Sequence, residues 1–470
     1  MNKAARLFLV AILAGALVGC TVGPKYNRPA VTAPPTFRGD LATTPDHASL
    51  ADAKWFEVFK DAQLQELVRT ALTNNHDLRE AVVRVDAARA SLGITRADQL
   101  PTISAGGDIT TTRFAANGSF PLAGNIDQNR TYGTVGLNLL SFELDIWGRL
   151  RRATEAARAE LLATEENRKA VITVLISDVA TAYFNLLELD SELDTAKRTL
   201  TSRENSLNLI QNRERTGLAS ALEVRQGEQL VQVAQQAIPA IEQRIAQTEN
   251  QLRLLLGDNP GPIARSRPLT HQEQPPAIPA GLPSSLLERR PDIRAAEQNL
   301  IATNARIGVA RASFFPQISL TGLFGFQSSQ LDSLFTKSNR TWQFTPQLAQ
   351  PIFTGGRLKA NLDLAKAEQR LAVVQYDRSI RTAFREVSDN LIQYEKVRDI
   401  RGRQESLVAT LQDRSRLSYV RYRGGVDTLL NALDADRDLF DAELRLAQLR
   451  RDELVTVVQL YRALGGGWQN

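Results

Sequence analysis

Two stretches of 67 residues, Arg149 to Arg215 and Arg357 to Arg423, contain no proline and between them one glycine, Gly402. Proline and glycine are the residues that interrupt helices, so each stretch predicts one unbroken helix, ~100 Å long at 1.5 Å per residue. Each meets a glycine turn, Thr216-Gly217 or Gly424-Gly425, and then a return arm of 39 residues, Leu218 to Leu256 or Val426 to Leu464. A shorter arm, Asn75 to Leu100 or Asp292 to Phe315, precedes each long one. Small side chains recur at seven-residue spacing at Ala156, Ala163, Ala170 and Ser177, which permits close coiled-coil-like packing.

The resemblance between these arms is a duplication. At an offset of 215, Asp77-Leu78-Arg79 falls on Asp292-Ile293-Arg294 and Leu100-Pro101 on Phe315-Pro316; at 208, Gly148-Arg149-Leu150 falls on Gly356-Arg357-Leu358 and Gly217 on Gly425. A repeat of this size is a doubled domain-sized unit, not a short solenoid repeat. The chain divides into residues 1–19, a leader; 20–74, an N-terminal segment; 75–257, the first repeat; 258–290, a linker; 291–464, the second repeat; and a tail, 465–470. Asp258 to Pro283 in the linker holds seven prolines and reads as extended surface chain.

Between the short and long arm of each repeat lies an insert, within 101–148 and 316–356, with period-two alternation. Ile103, Ala105, Gly107 and Ile109 share one face while Thr102, Ser104, Asp108 and Thr110 share the other; Leu320, Phe324 and Phe326 likewise oppose Gln317, Ser319 and Thr321. Apolar-out, polar-in segments of ~10 residues are the pattern of transmembrane barrel strands, and a soluble sandwich hairpin shows it too. Four strands cannot close a barrel, because single-chain barrels begin at about 8, so a membrane reading requires several copies. Three would supply twelve strands.

The leader settles between these readings. Lys3 and Arg6 precede an apolar run from Leu7 to Val18, a secretory signal too short to span a bilayer as a helix. Leu17-Val18-Gly19-Cys20 has the form of a lipobox, with Cys20 as the lipid-modified first residue of the mature chain; an ordinary signal with an incidental cysteine is the alternative. Cys20 is the only cysteine, the three histidines (His47, His76, His271) are scattered, and the net charge of +5 is small for 470 residues. These counts disfavour a disulfide scaffold, a His/Cys metal enzyme and a nucleic-acid binder. Neither a phosphate-cradling glycine loop nor a Gly-x-Ser-x-Gly elbow occurs, so no enzyme is expected.

Several further motifs carry a family likeness. They are Val22-Gly23-Pro24-Lys25-Tyr26-Asn27-Arg28-Pro29, Lys54-Trp55-Phe56, Ser141 to Arg149, Pro351 to Arg357 and Tyr422-Arg423-Gly424-Gly425-Val426-Asp427. With the lipobox they make the chain resemble the TolC-like outer-membrane efflux proteins, in the lipid-anchored, NodT-like branch that serves resistance-nodulation-division pumps. The resemblance implies a mainly α fold with a small transmembrane β part: four strands per chain, a homotrimer closing a twelve-stranded β-barrel, and a long α-helical barrel in the periplasm. It implies a passive exit duct in outer-membrane lipid, partnered by an inner-membrane pump and a periplasmic adaptor, with no cofactor beyond the lipid on Cys20. A type I protein-secretion duct shares this architecture, and a non-conducting coiled-coil scaffold lipoprotein is a third reading.

By the same resemblance the periplasmic tip is the pair of glycine turns, near 214–220 and 421–428, shaped by Gly217, Gly424 and Gly425. Leu430 and Asp434 match positions that narrow the pore, and threefold symmetry would turn each into a ring; the plainer reading of Asp434 is a solvated surface charge. Arg421, Tyr422, Arg423, Asp427 and Asn431 are candidate gate contacts. Asn431 stands where another pore acid can occur, and Asp427 where some relatives carry a basic latch residue.

Overall fold

The computed structural model of the chain describes residues 21–31, 33–39, 49–115, 128–272, 281 and 283–468. The leader and Cys20 lie outside the described residues, as do 273–280 and Leu282 of the linker. Seven helices longer than ten residues occur among the described residues: α1 (Ala62–Asn74), α2 (His76–Ala97), α3 (Arg149–Arg215), α4 (Ala221–Leu255), α5 (Pro291–Ala312), α6 (Arg357–Arg423) and α7 (Leu429–Ala463). Four strands accompany them: β1 (Ile103–Arg113), β2 (Asn129–Leu144), β3 (Gln317–Ser328) and β4 (Arg340–Ala349). Both long arms are single helices of 67 residues. The return arms α4 and α7 have 35 residues, fewer than the 39 expected. Three residues after each glycine form the turn and N-cap, and Leu256 or Leu464 is the C-cap.

The chain forms two compact units, Met1–Ala30 with Asp86–Ala163 and Ala296–Tyr376, and Val31–Val85 with Thr164–Ala295 and Asp377–Asn470. Each takes segments from both repeats. In the first unit the strands of the two copies pair with one another, and in the second their long helices pack together.

The first unit holds one antiparallel sheet in the order β1-β2-β3-β4. Its register sets Leu137 opposite both Ala105 and Phe324, and Phe324 opposite Trp342. One face therefore carries Ile103, Ile109, Leu137, Phe324, Trp342, Phe344 and Leu348, all exposed. At the centre Gly136 pairs with Gly325, and a Cβ on Gly325 would lie 2.2 Å from the Val135 carbonyl oxygen, so only glycine fits. Between Leu139 and Phe142 the register shifts by one residue, a bulge confined to β2. Below the sheet Trp147 stacks on Phe315 at 4.7 Å and donates its indole N–H to the Pro316 carbonyl at 2.9 Å. The Val22 N–H donates to the Trp147 carbonyl at 3.0 Å, and Arg28 pairs with Glu297 at 2.8 Å, so residues 21–30 lie as a strap across α5.

The second unit has the larger core. Trp55, Phe59, Leu64 and Val68 pack with Val179, Tyr183 and Leu186 of α3, Leu252 of α4 and Val458 and Tyr461 of α7. The Asp61 carboxylate caps α1 at the Leu64 N–H (3.0 Å) and accepts from the Ser266 hydroxyl at 2.6 Å and the Gln272 amide at 2.8 Å. These bonds tie the start of α1 to the linker.

Candidate functional site

The candidate site is the pair of helix turns in the second unit. Each long helix ends in the same hydrogen-bond pattern. The Gly217 N–H donates to the Glu214 carbonyl and the Leu218 N–H to the Arg213 carbonyl; Gly425 donates to Tyr422 and Val426 to Arg421 in the same way. This double closure requires a left-handed residue, and Gly217 and Gly425 have φ of 73° and 72°. Gly424 has no positive φ and continues the helix, its N–H bonded to the Val420 carbonyl at 3.1 Å.

The two turns rest on one small core. Tyr422, 3% exposed, packs with Ile210, Leu429 and Leu433, flanked by Val224 and Leu230. The Arg213 guanidinium lies over the Tyr422 ring at 4.8 Å and donates to the Arg423 carbonyl at 3.4 Å. Burial, assisted by the Glu223 carboxylate, pushes the Tyr422 phenol above its ordinary range. Tyr422 thus joins the end of α6 to the end of α3.

Asp427 braces the second turn. Its carboxylate accepts from Asn431 Nδ2 at 2.7 Å, from Arg421 Nε at 3.0 Å and from the Thr428 N–H at 2.8 Å. Those donors, Asn431 first, hold its pKa below the usual carboxylate range. Arg421, Asp427 and Asn431 therefore form one local cluster spanning the turn.

Leu430 and Asp434 lie one turn apart on α7, Leu430 exposed and Asp434 half-buried, beside the buried Leu429, Ala432 and Leu433. Leu430 is 57% exposed. Asp434 pairs along the helix with Arg437 at 3.1 Å, so its charge is partly balanced.

Two buried charged groups on α3 are not marked by any sequence motif. Arg203 of α3 pairs with Asp436 of α7 at 2.9 Å, with side chains only 2% and 9% exposed. Its guanidinium also donates to the Leu230 carbonyl of α4 at 3.0 Å and lies over Phe440 at 5.1 Å. Farther along α3, Glu188 and Glu192 are buried side by side; Arg244 and Gln448 hold Glu192 at 2.8 and 3.1 Å, and burial pushes Glu188 up to about 8. The one available signal was an acid or arginine on an otherwise apolar helical stripe, which does not identify its partner.

A cavity of about 740 Å³ lies between α3, α6, α7 and residues 265–270. Its four arginines, Arg198, Arg265, Arg267 and Arg450, are matched in number by Asp190, Asp194, Glu405 and Glu443, with Arg265 paired to Asp190, Arg198 to Asp194 and Arg450 to Glu405. No surplus charge marks it as a ligand site.

The outer membrane efflux protein family profile matches residues 67–258 and 282–466. The toluene efflux pump outer membrane protein TtgI of Pseudomonas putida is 41% identical over 461 residues, covering 96% of either chain. The cation efflux system protein CusC of Escherichia coli is 38% identical over 97% of each, and a CusC crystal structure superposes with a TM-score of 0.85 at 36% identity over 95% of this chain and 100% of that one. The open state of the Neisseria gonorrhoeae MtrE outer membrane channel gives 0.85 at 34% identity, covering 96% and 99%.

Proposed function

Because the chain belongs to the outer membrane efflux protein family, and is on that ground an outer-membrane efflux channel, we propose that it works as a homotrimeric exit duct of a tripartite resistance-nodulation-division efflux system. The observation that carries the trimer is the four-stranded sheet with an apolar face and two open edges, β1 and β4. Sheet edges in a bilayer must be paired, and three copies supply the twelve strands of a barrel. The family is one of channels rather than enzymes, so an inner-membrane pump supplies the energy and a periplasmic adaptor bridges it to the helix turns.

The turns are the gate in this reading. Leu430, exposed, and Asp434, half-buried, share one face of α7, and a threefold axis facing them makes a leucine ring and a carboxylate ring. Three carboxylates in a constriction favour cations. Single-channel recording of the purified protein in a planar bilayer tests this. A small cation-preferring conductance should rise several-fold in Leu430→Ala/Asp434→Ala, and an unchanged conductance removes the gate assignment.

Cys20 is the lipid anchor in the same reading. Its neighbour Thr21 is held against Gly148, where a Cβ would come within 2.8 Å of the threonine methyl, at the lower end of β2. Mass spectrometry should find an acylated mature N-terminus that is lost in Cys20→Ser.

A further inference from the structure

The apolar face of the sheet changes character toward one end. Every helix joins the sheet at the other end, since α2 leads into β1, β2 into α3, α5 into β3 and β4 into α6. The β1–β2 and β3–β4 connections therefore mark the end turned away from the helices. Along β3 the face is apolar from Ile318 to Phe326. That is ~27 Å of strand at ~3.4 Å per residue, which at a barrel tilt of ~40° stands ~20 Å tall, near the ~25 Å apolar band of an outer-membrane wall. Beyond the band the same face carries Thr111 and Arg113 of β1, Thr131 of β2, Ser328 of β3 and Arg340 of β4, placed there by the register.

The cations of this rim lack counter-charges. Arg340 is exposed, with its guanidinium over the Phe324 ring at 5.9 Å, and Lys337 is exposed in the connection just before it. Arg113 donates to the neutral Gln128 amide oxygen at 3.4 Å. Among the described residues no carboxylate pairs with any of these cations, Asp332 of the same connection included. At the helix end, by contrast, Arg149 is held by Glu143 at 2.6 Å and Arg151 by Asp145 at 3.3 Å. The β3–β4 connection adds apolar groups to the rim. Phe335 stands edge-on to Phe326 at 5.6 Å and is 69% exposed, and Leu331 is 85% exposed. The Asn339 amide fixes this turn by donating to the Ser333 carbonyl at 2.8 Å. Phe326 lies on the apolar face and pairs with Arg340, so Phe335 is held on that side, next to the strand that carries the arginine.

We infer that this rim binds lipid A, the phosphorylated glycolipid of the outer leaflet, with Arg340 and Lys337 taking a phosphate and Leu331 and Phe335 lying along the acyl chains. The inference rests on the outer-membrane channel reading and adds a lipid which that reading leaves unassigned. An unbalanced cation at the level where headgroups begin attracts an anionic headgroup. Arginine suits the task because its planar fork donates two parallel hydrogen bonds to phosphate oxygens. Within the leaflet, divalent cations bridge neighbouring phosphates; at the barrel wall the protein's own cations take that place. Arg113, at the opposite edge of the sheet, supplies a second cation at the same level. Arg130 is at this height too, but its pairing with Thr112 turns it to the other face, where it lies over Phe114 at 5.8 Å.

Native mass spectrometry of the full-length, lipidated protein tests this, after endogenous lipid is washed away in detergent and bisphosphorylated lipid A is added. The parent should retain lipid A at least fivefold above phosphatidylglycerol or dephosphorylated lipid A. Lys337→Gln/Arg340→Gln should lower retention at least fivefold, and Leu331→Ser, at a side chain standing clear of the fold, at least twofold. Arg130→Gln should bind as the parent does. Undiminished retention by either rim variant, an equal loss in Arg130→Gln, or equal retention of phosphatidylglycerol overturns the inference. Conductance of the same preparations separates the two levels: a conducting trimer without preference for lipid A rejects the lipid site alone, while a non-conducting monomer rejects the channel reading with it.

Discussion

At the first helix turn Ser220 and Glu223 cap each other: the Glu223 N–H donates to Ser220 Oγ at 3.3 Å and the Ser220 N–H to the Glu223 carboxylate at 2.7 Å. At the second, Thr428 makes no side-chain cap, and the residue matching Glu223 is Asn431, which donates to Asp427 instead. The backbone closure at Gly217 and Gly425 is the same in both. What differs is where the side chains are anchored. The cap at the first turn joins only residues at the start of its own return helix, whereas at the second Asp427 links the start of the return helix, through Asn431, to the end of the preceding one, through Arg421. Duplication has kept what backbone geometry requires, a residue with positive φ, and released the side chains to specialise. Even the exposed faces have diverged, since Leu222 and Gln226 stand at the first turn where Leu430 and Asp434 stand at the second.

The largest expected effect breaks the contact beneath the turns. The positions matching Arg203 and Asp436 in the other repeat are Leu411 and Glu228, so this tie occurs once per chain. Arg203→Met leaves the Asp436 carboxylate buried without its partner, at a cost of about 3–5 kcal/mol. Its thermal midpoint, followed by helical circular dichroism, should drop by several degrees while Leu411→Met stays near the parent.

Conductance sharpens the comparison at the next level. The several-fold increase expected for Leu430→Ala/Asp434→Ala should be absent from Leu222→Ala/Gln226→Ala, because only the second turn carries an acid there. Equal increases at both turns would erase the functional distinction between them.

Capping gives a smaller difference. Ser220→Ala should cost about 1 kcal/mol, the usual worth of an N-cap hydroxyl, and Thr428→Ala only a few tenths, since its hydroxyl caps nothing. Chemical denaturation of the paired variants would show it.

Asp427 supplies the mildest test. Its folded pKa is depressed, so the brace contributes above the ordinary aspartate value of about 3.9 and is lost as pH falls through the lower folded value. Protease cleavage at the second turn should be flat from pH 8 to pH 5 and increase only in stronger acid. An increase between pH 7 and pH 5 would mean that another group controls the turn.

Much of this architecture is legible from the order of residues alone. Uninterrupted 67-residue stretches allow little but helix, positive-φ glycines mark where those helices reverse, and period-two alternation at Ile103 to Ile109 assigns the strand faces. These are local properties, set by backbone sterics and by which side chains water excludes, and local properties repeat faithfully when a segment is duplicated. Tertiary structure decided the rest. It paired β2 with β3 across the repeats, absorbed one residue as a bulge between Leu139 and Phe142, buried Tyr422 under Arg213, and brought Arg203 to Asp436 across 233 positions of sequence. Partners so far apart leave no periodic trace, because their contact depends on how whole helices are rotated and staggered. Small-residue pairs such as Ala87 and Ala90 of α2 and Ala302 and Ala305 of α5 read alike in the sequence, and only the folded chain shows that the second pair is covered and the first exposed.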